Sequence, residues 1–308
     1  MPRISYLSEN KTIEATSTET ILGASLRCGL AHTHECGGEA RCSTCRVAIF
    51  DGLAHCSERN AKEQAMAERL HFGPEIRLAC QTKIIGDVSL RRLVLDPDDA
   101  LITDQRETGA TPAIAGEEKT ITIMFADVRG FTSFAEDLPA YDVVHSLNRI
   151  FHSMGPAITR HGGHIDNYIG DGLMALFDVR DASEAAAQAV RAGLEVLDAI
   201  RKLQPYFHDN YGKELRIGIG VHCGEVVVGS IGATTMKRTT AIGDAVNLAS
   251  RIENANKLLG TSFLISEAVH DQVKDLFLTK QHENVILPGK AGVYTLHEVT
   301  GLRQAAVK

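Results

Sequence analysis

Long apolar runs are missing from this chain: its 308 residues contain no uninterrupted stretch of the roughly 18 that a membrane-crossing helix needs. The opening MPRISYLSENKT lacks the apolar core of a secretory signal, and a soluble, cytoplasmic protein is expected. Positive charge is also in short supply. With 32 Lys and Arg against 39 Asp and Glu, the net charge is −7 and the pI about 6.0, which excludes a dedicated nucleic-acid binder or a protein drawn to anionic lipid by charge. No internal repeat is present, and low complexity amounts to a short alanine run at 185–187. A composition 44% hydrophobic and 23% charged supplies real cores and excludes a disordered chain. The length is about twice that of a common domain, so two domains are expected.

Cysteine is almost absent from the later part of the chain. Of seven, six fall within the first 80 residues and Cys223 alone lies beyond. In a reducing cytoplasm such clustering points to metal or redox chemistry, and the odd total fits poorly with a fully paired disulfide framework. The pattern is Cys36-x5-Cys42-x2-Cys45, with Cys80 supplied by the distant RLACQT. An iron–sulfur cluster needs four converging thiolates with backbone amides on its sulfides. The loop CGGEARCSTC can wrap closely because Gly37 and Gly38 free the backbone. A zinc site and four ordinary cysteines are the alternatives; a zinc ribbon brings two CxxC knuckles and this chain has one.

Residues 1–92 resemble a [2Fe–2S] ferredoxin domain, and the x5 spacing is that of its adrenodoxin-like branch. The resemblance implies a β-grasp fold and the cluster ligands Cys36, Cys42, Cys45 and Cys80. Cys28 and Cys56 lie outside the pattern and are expected to serve as buried small hydrophobes. Strand-like pieces (ISYL, TIEA, CRVAIF, DVSLRRL) and helical stretches at Thr20–Cys28 and Glu58–Leu70 accompany them. The acidic, proline-bearing stretch 93–118 reads as a linker.

The remainder alternates strands and helices, as an α/β sandwich with a largely antiparallel sheet would. ITIMFADV reads as a buried strand. Val144, Leu147, Phe151, Met154 and Ile158 fall on one face of a helix. GGHIDNYIGDGLMALF reads as two strands joined at Gly170-Asp171-Gly172, and a second helix carries Ala186, Ala189, Val190, Leu194, Leu197 and Ile200. LRIGIGVHCGEVVVGSIG reads as a strand pair with Leu215, Ile217, Ile219 and Val221 on one face.

Phosphoryl and nucleotidyl transfer need carboxylates to hold a divalent cation and donors to stabilise phosphate charge. Asp127 ends the strand in FADVRGFTSF and Asp171 sits in the turn YIGDGLMA, so each carboxylate stands at a strand end; a helix cap or turn role is the plainer alternative. The helix expected after Asp127 would open near Gly130, Phe131 and Thr132, with free amides for phosphate oxygens. Asn247 and Arg251, four apart in GDAVNLASRIENANK, share one helix face, where a solvated role is the alternative.

The order FADVRGFT, GGHIDNYIGDGLMALF, IGDAVNLASRIE resembles the catalytic domain of class III nucleotidyl cyclases over residues 119–299, leaving 300–308 as a tail. The resemblance implies a head-to-tail homodimer with active sites at its interface. It also implies Asp127 and Asp171 as ligands of two Mg²⁺ or Mn²⁺, and Asn247 and Arg251 as the partner-supplied pair for the ribose and the α-phosphate. Lys290 in LPGKAGVYTL matches a lysine on the terminal phosphates, an exposed turn lysine being the alternative. Asn167 and Thr240 occupy the two base-reading positions. Adenine-specific members carry lysine at the first, so Asn167 departs from the pattern. Both residues can nonetheless serve adenine, and neither supplies the carboxylate that guanine favours. The whole chain is therefore expected to be α+β, an adenylate cyclase converting ATP to cyclic AMP under redox control by its cluster, with an electron donor that the sequence does not identify. A guanylate cyclase is one alternative. A nucleotide-binding electron carrier without cyclase activity is another, and it would require a lost catalytic residue where none is lost.

Overall fold

The computed structural model describes residues 1–93, 116–179, 181–231 and 238–303. Most of the expected linker at 93–118, and the tail beyond residue 303, lie outside the described residues. The chain divides into two compact units, Met1–Glu117 with Ser230–Arg238, and Glu118–Gly229 with Thr239–Lys308.

The first unit is built on a five-stranded sheet in the order β2-β1-β5-β3-β4. Its strands are β1 (Arg3–Tyr6), β2 (Lys11–Glu14), β3 (Arg46–Asp51), β4 (Ile76–Leu78) and β5 (Val88–Arg92). β1 runs parallel to β5, while β1–β2, β3–β4 and β3–β5 are antiparallel. Helix α1 (Ile21–Arg27) starts where the Thr20 side chain accepts from the Gly23 amide at 3.1 Å. Helix α2 (Ala61–Leu70) starts three residues later than its composition suggests. The Asn60 side chain accepts from the Glu63 amide at 2.9 Å and fixes the boundary there. Ile4, Tyr6, Ile21, Leu78 and Leu90 form the centre of this unit's core, and Cys28 and Cys56 pack half-buried against it.

The second unit is an eight-stranded, mostly antiparallel sheet, ordered β12-β13-β11-β9-β6-β8-β7 with β10 paired to β9. It comprises β6 (Gly116–Arg129), β7 (His164–Ile169), β8 (Gly172–Phe177), β9 (Arg216–Ile231), β10 (Arg238–Ile242), β11 (Phe263–Ser266), β12 (Phe277–Val285) and β13 (Tyr294–Leu302). Its helices are α3 (Phe131–Glu136), α4 (Ala140–Arg160), α5 (Ala182–Tyr211), α6 (Asp244–Leu259) and α7 (Glu267–Val273).

The continuous hydrophobicity of ITIMFADV follows from burial on both faces. Met124, Ala126 and Val128 join a core that takes in Ile150 and Met154 of α4 and Val190 and Val196 of α5. Ile121 and Ile123 point the other way, into a second cluster with Ala245 and Ala249 of α6. Ile150, Met154, Ala157 and Ile158 form the buried stripe of α4, whereas Val144 is 56% exposed and falls outside it. The hairpin at Gly170-Asp171 is as expected, with Gly170 at a φ of 61°.

The expected strand pair over 215–232 is instead the single strand β9. Its glycines do not turn the chain; they let α6 approach. A Cβ on Gly220 would stand 2.2 Å from the Glu253 amide nitrogen and 2.8 Å from the Ala249 carbonyl oxygen.

Candidate functional sites

In the first unit the four patterned cysteines stand as two pairs. The Cys42 thiol donates to Cys36 Sγ at 3.3 Å, and Cys45 and Cys80 are hydrogen-bonded to each other. The loop that carries three of them turns through left-handed conformations at Gly37 (φ 68°), Gly38 (φ 92°) and Ala40 (φ 58°). Nothing lies within 4 Å of a Cβ built on Gly37, so conformation rather than close contact requires glycine there.

This coil aims backbone amides at sulfur. Burial works against ionising Cys36, yet hydrogen bonds from Cys42 and from the amides of Arg41, Cys42 and Gly38 hold its thiol below the ordinary range. Cys80 is lowered to about 6, first by its bond to Cys45, then by Gln81 and the Ala40 amide. Cys45 is raised as the protonated member of that pair, through the same bond and through burial.

Two supporting residues escape the cysteine pattern. Gln81 Nε2 donates to Cys80 Sγ at 3.2 Å and to the Gly38 carbonyl at 3.0 Å, and Thr44 Oγ1 lies 3.1 Å from Cys42 Sγ. Their signal in the sequence is no more than adjacency to a patterned cysteine. His32 is buried against Ser25 and the Cys45 carbonyl, and burial lowers it to about 4, so it stays neutral.

Among the described residues, no three or more His, Cys, Asp or Glu side chains gather closely enough to hold one metal ion. Paired thiols suit a [2Fe–2S] cluster, in which each iron takes two thiolates, better than a single tetrahedral zinc.

In the second unit the β6–β8 ladder pairs Asp127 with Gly172, which brings Asp127 beside Asp171 in the hairpin turn. A Cβ on Gly172 would stand 2.8 Å from Asp127 Oδ1, so glycine is what leaves room for the carboxylate. Burial raises the Asp127 carboxyl above its ordinary range, and the charge of Asp171 raises it further, against Lys257 and Arg129. A divalent cation is the partner that relieves such a like-charged, half-buried pair, and the donor set fits one.

A cavity of about 240 Å³ adjoins Asp127, lined from α6 by Ser250, Glu253 and Asn254. Glu253 is buried on Arg129, 3.0 Å away, and burial lifts it to about 7 with help from Asp127. Neither residue is marked in the sequence, because a contact 124 positions apart leaves no local pattern.

Asn247 and Arg251 project from the first two turns of α6; both are exposed, and neither lines the Asp127 cavity. Arg251 reaches instead toward the loop before β13, where a Cβ on Gly289 would be 3.8 Å from its Nη2. Lys290 in that loop is tied to the Asp244 carboxylate at the start of α6, so its side chain is sheltered rather than free in a turn. Gly130 adopts a φ of 70° and opens α3, with Phe131 buried and Thr132 exposed. Asn167 is half-buried on β7, and Thr240 on β10 bonds to its neighbour Asp166.

Comparison with known proteins assigns both units. The profile described as "Adenylate and Guanylate cyclase catalytic domain" matches residues 114–299, and that of the "2Fe-2S iron-sulfur cluster binding domain" matches 6–84. The adenylate cyclase of Anabaena cylindrica is 37% identical over 194 residues, 60% of this chain and 38% of that protein. Adenylate cyclase 1 of Rhizobium meliloti is 32% identical over 200 residues, 65% of this chain and 30% of that protein. The chain thus spans well under half the length of these relatives. Among solved structures, the adenylyl cyclase CyaB from P. aeruginosa superposes with a TM-score of 0.57 at 30% identity, over 61% of this chain and 97% of that one. The guanylyl cyclase Cya2 does so with a TM-score of 0.57 at 32%, over 63% and 98%.

Proposed function

The chain belongs to the adenylate and guanylate cyclase catalytic-domain family and carries a 2Fe-2S cluster binding domain ahead of it, and from this premise we propose that it is an adenylate cyclase acting as a homodimer. The observation that carries the reading is the split of the functional groups. Asp127 and Asp171 stand together, while Asn247 and Arg251 are exposed and do not line the cavity beside Asp127. Two copies arranged head to tail complete two sites, each with carboxylates from one subunit and the amide–guanidinium pair from the other.

In this reading Asp127 and Asp171 hold two Mg²⁺ or Mn²⁺, which supply acidity at the ribose 3′-hydroxyl and neutralise triphosphate charge when bound. Asn247 orients the ribose so that its 3′-oxygen lies in line with the α-phosphorus. Arg251 stabilises the charge that gathers on the α-phosphate as the bond to pyrophosphate breaks. The opening amides of α3 at Gly130–Thr132 and the ammonium of Lys290 receive the β- and γ-phosphates, for which Lys290 must give up Asp244. Asn167 and Thr240 read adenine.

Cyclisation moves no electrons, so the cluster held by Cys36, Cys42, Cys45 and Cys80 has no place in the reaction itself. We assign it to sensing. A cluster held there would gain negative charge on one-electron reduction, the surrounding amides would have to answer it, and turnover of a dimeric cyclase would depend on how its two subunits meet. We take the cytoplasm as its compartment, where reducing conditions keep thiols unpaired and open to iron.

The direct test supplies purified protein with Mn²⁺ and either ATP or GTP and identifies the product. Cyclic AMP from ATP is expected as the main product. Predominant cyclic GMP would contradict the base assignment, and no cyclic product from either nucleotide would contradict the function.

A further inference from the structure

A threonine hydroxyl is an ambiguous reader of a purine. It can donate to the guanine O6 as readily as it can accept from the adenine amino group, and rotation about one bond switches between them. Thr240 does not have this freedom. Its Oγ1 donates to Asp166 Oδ2 at 2.7 Å, and both residues are half-buried. A hydroxyl has a single proton. Once that proton is given to a carboxylate, which accepts, the lone pairs are what Thr240 presents to a base.

The backbone explains why Asp166 is available for this. β7 pairs with β8 through Ile165–Ala175 and then Asn167–Met174, so Asp166 is an extra residue in the ladder. Regular two-residue alternation would send Asp166 and Asn167 to opposite faces of the sheet. A bulge breaks that alternation and re-aims a side chain. The residue beside Asn167 is thereby turned to Thr240, 74 positions further along the chain.

Resting on the adenylate-cyclase reading above, we propose that Asp166 is a positioning residue for base choice: by taking the Thr240 proton it fixes that hydroxyl as an acceptor, matched to the amino group of adenine and opposed to the O6 of guanine. Asn167, whose amide can turn either way, then donates to adenine N1. Selectivity in this chain rests on the pair Asp166–Thr240, and so does not need the lysine that stands at position 167 in other adenine-specific members.

The test is the ratio of kcat/KM for ATP to that for GTP, measured on the full-length protein with Mn²⁺. Asp166→Asn removes the obligate acceptor while keeping the shape, and its amide can donate to Thr240 in turn. The ratio should fall about tenfold, the value of one well-placed hydrogen bond. Asp166→Glu, which restores a carboxylate, should recover most of it. In a Thr240→Val background, Asp166→Asn should leave the ratio where Thr240→Val alone put it, since the proton it acts through is gone. A merely structural Asp166 would lower both nucleotides together and leave the ratio unmoved. If Asp166→Asn does not fold, as judged by circular dichroism, Asp166→Ser takes its place, because serine also frees Thr240 to donate.

An unchanged ratio in the folded variant, or an equal fall with and without the Thr240 hydroxyl, overturns the inference while the cyclase assignment stands. A wild type that prefers GTP, or that makes no cyclic nucleotide, overturns both together.

Discussion

Glu253 shows how a single carboxyl records the charge of the whole site. It is buried on Arg129 and close to both aspartates, and burial followed by the Asp127 charge lifts it to about 7 from an ordinary 4.5, against the pull of Arg129. The folded state therefore holds this proton more tightly than the unfolded chain. The stabilisation is fully present below pH 4.5 and is lost as pH rises through about 7. Glu253→Gln mimics the protonated form at every pH. Without divalent cations, wild type and variant should melt alike in acid, and the wild type should fall progressively behind between those two values. Thermal unfolding followed across that range checks this, and a constant difference would contradict it. The sequence made Asp127, Asp171, Asn247 and Arg251 legible because their spacing survives in one dimension: strand end, turn, and one helical face. Glu253, Arg129, Gln81 and Asp166 were not legible. Each acts through a residue it meets by burial, by a bulge or by adjacency to a patterned cysteine, and none of these has a signature in spacing.

At the scale of elements, an unbroken apolar run and a turn signal served, whereas helical periodicity misled at the end of a stripe and glycine misled where it has a second use. The strand over ITIMFADV and the hairpin around Asp171 were readable as such. Val144 was not, because the buried stripe of α4 passes through Ile150 and Ala157 instead. β9 carries the sharper lesson. Its glycines look like turn signals, yet Gly220 sits under α6 with the Glu253 amide 2.2 Å from where a Cβ would be. Because both near neighbours are backbone, no side-chain rotation relieves the clash. Gly220→Ala should therefore push α6 from the sheet and cost about 1–3 kcal/mol of stability, as overpacking does. Activity should fall with it, since α6 bears Asn247 and Arg251. Chemical denaturation of the second unit's transition measures the loss, and wild-type stability in this variant would contradict the close packing.

The whole molecule joins two units with separate cores, one bearing paired thiols and the other paired carboxylates. No helix among the described residues is long and apolar enough to cross a membrane. Both units were legible because each has an ordered set of spaced motifs, whereas coupling between them has no motif and falls to experiment. As-purified protein should be red-brown. Dithionite-reduced and air-oxidised enzyme, at equal cluster occupancy, should differ in cyclic-nucleotide turnover by at least several-fold, as about 1.4 kcal/mol of differential stabilisation shifts a two-state equilibrium tenfold. Equal rates would make the cluster structural. The central claim is that one chain holds two half-sites and neither works alone. Asp127→Ala and Asn247→Ala should each abolish activity, one from either half. Mixed in equal amounts with free subunit exchange, half of the dimers pair one variant with the other, and each such dimer has one intact site of two. Activity should return to about one quarter of wild type. No recovery, with exchange demonstrated by differently tagged subunits, would contradict the account.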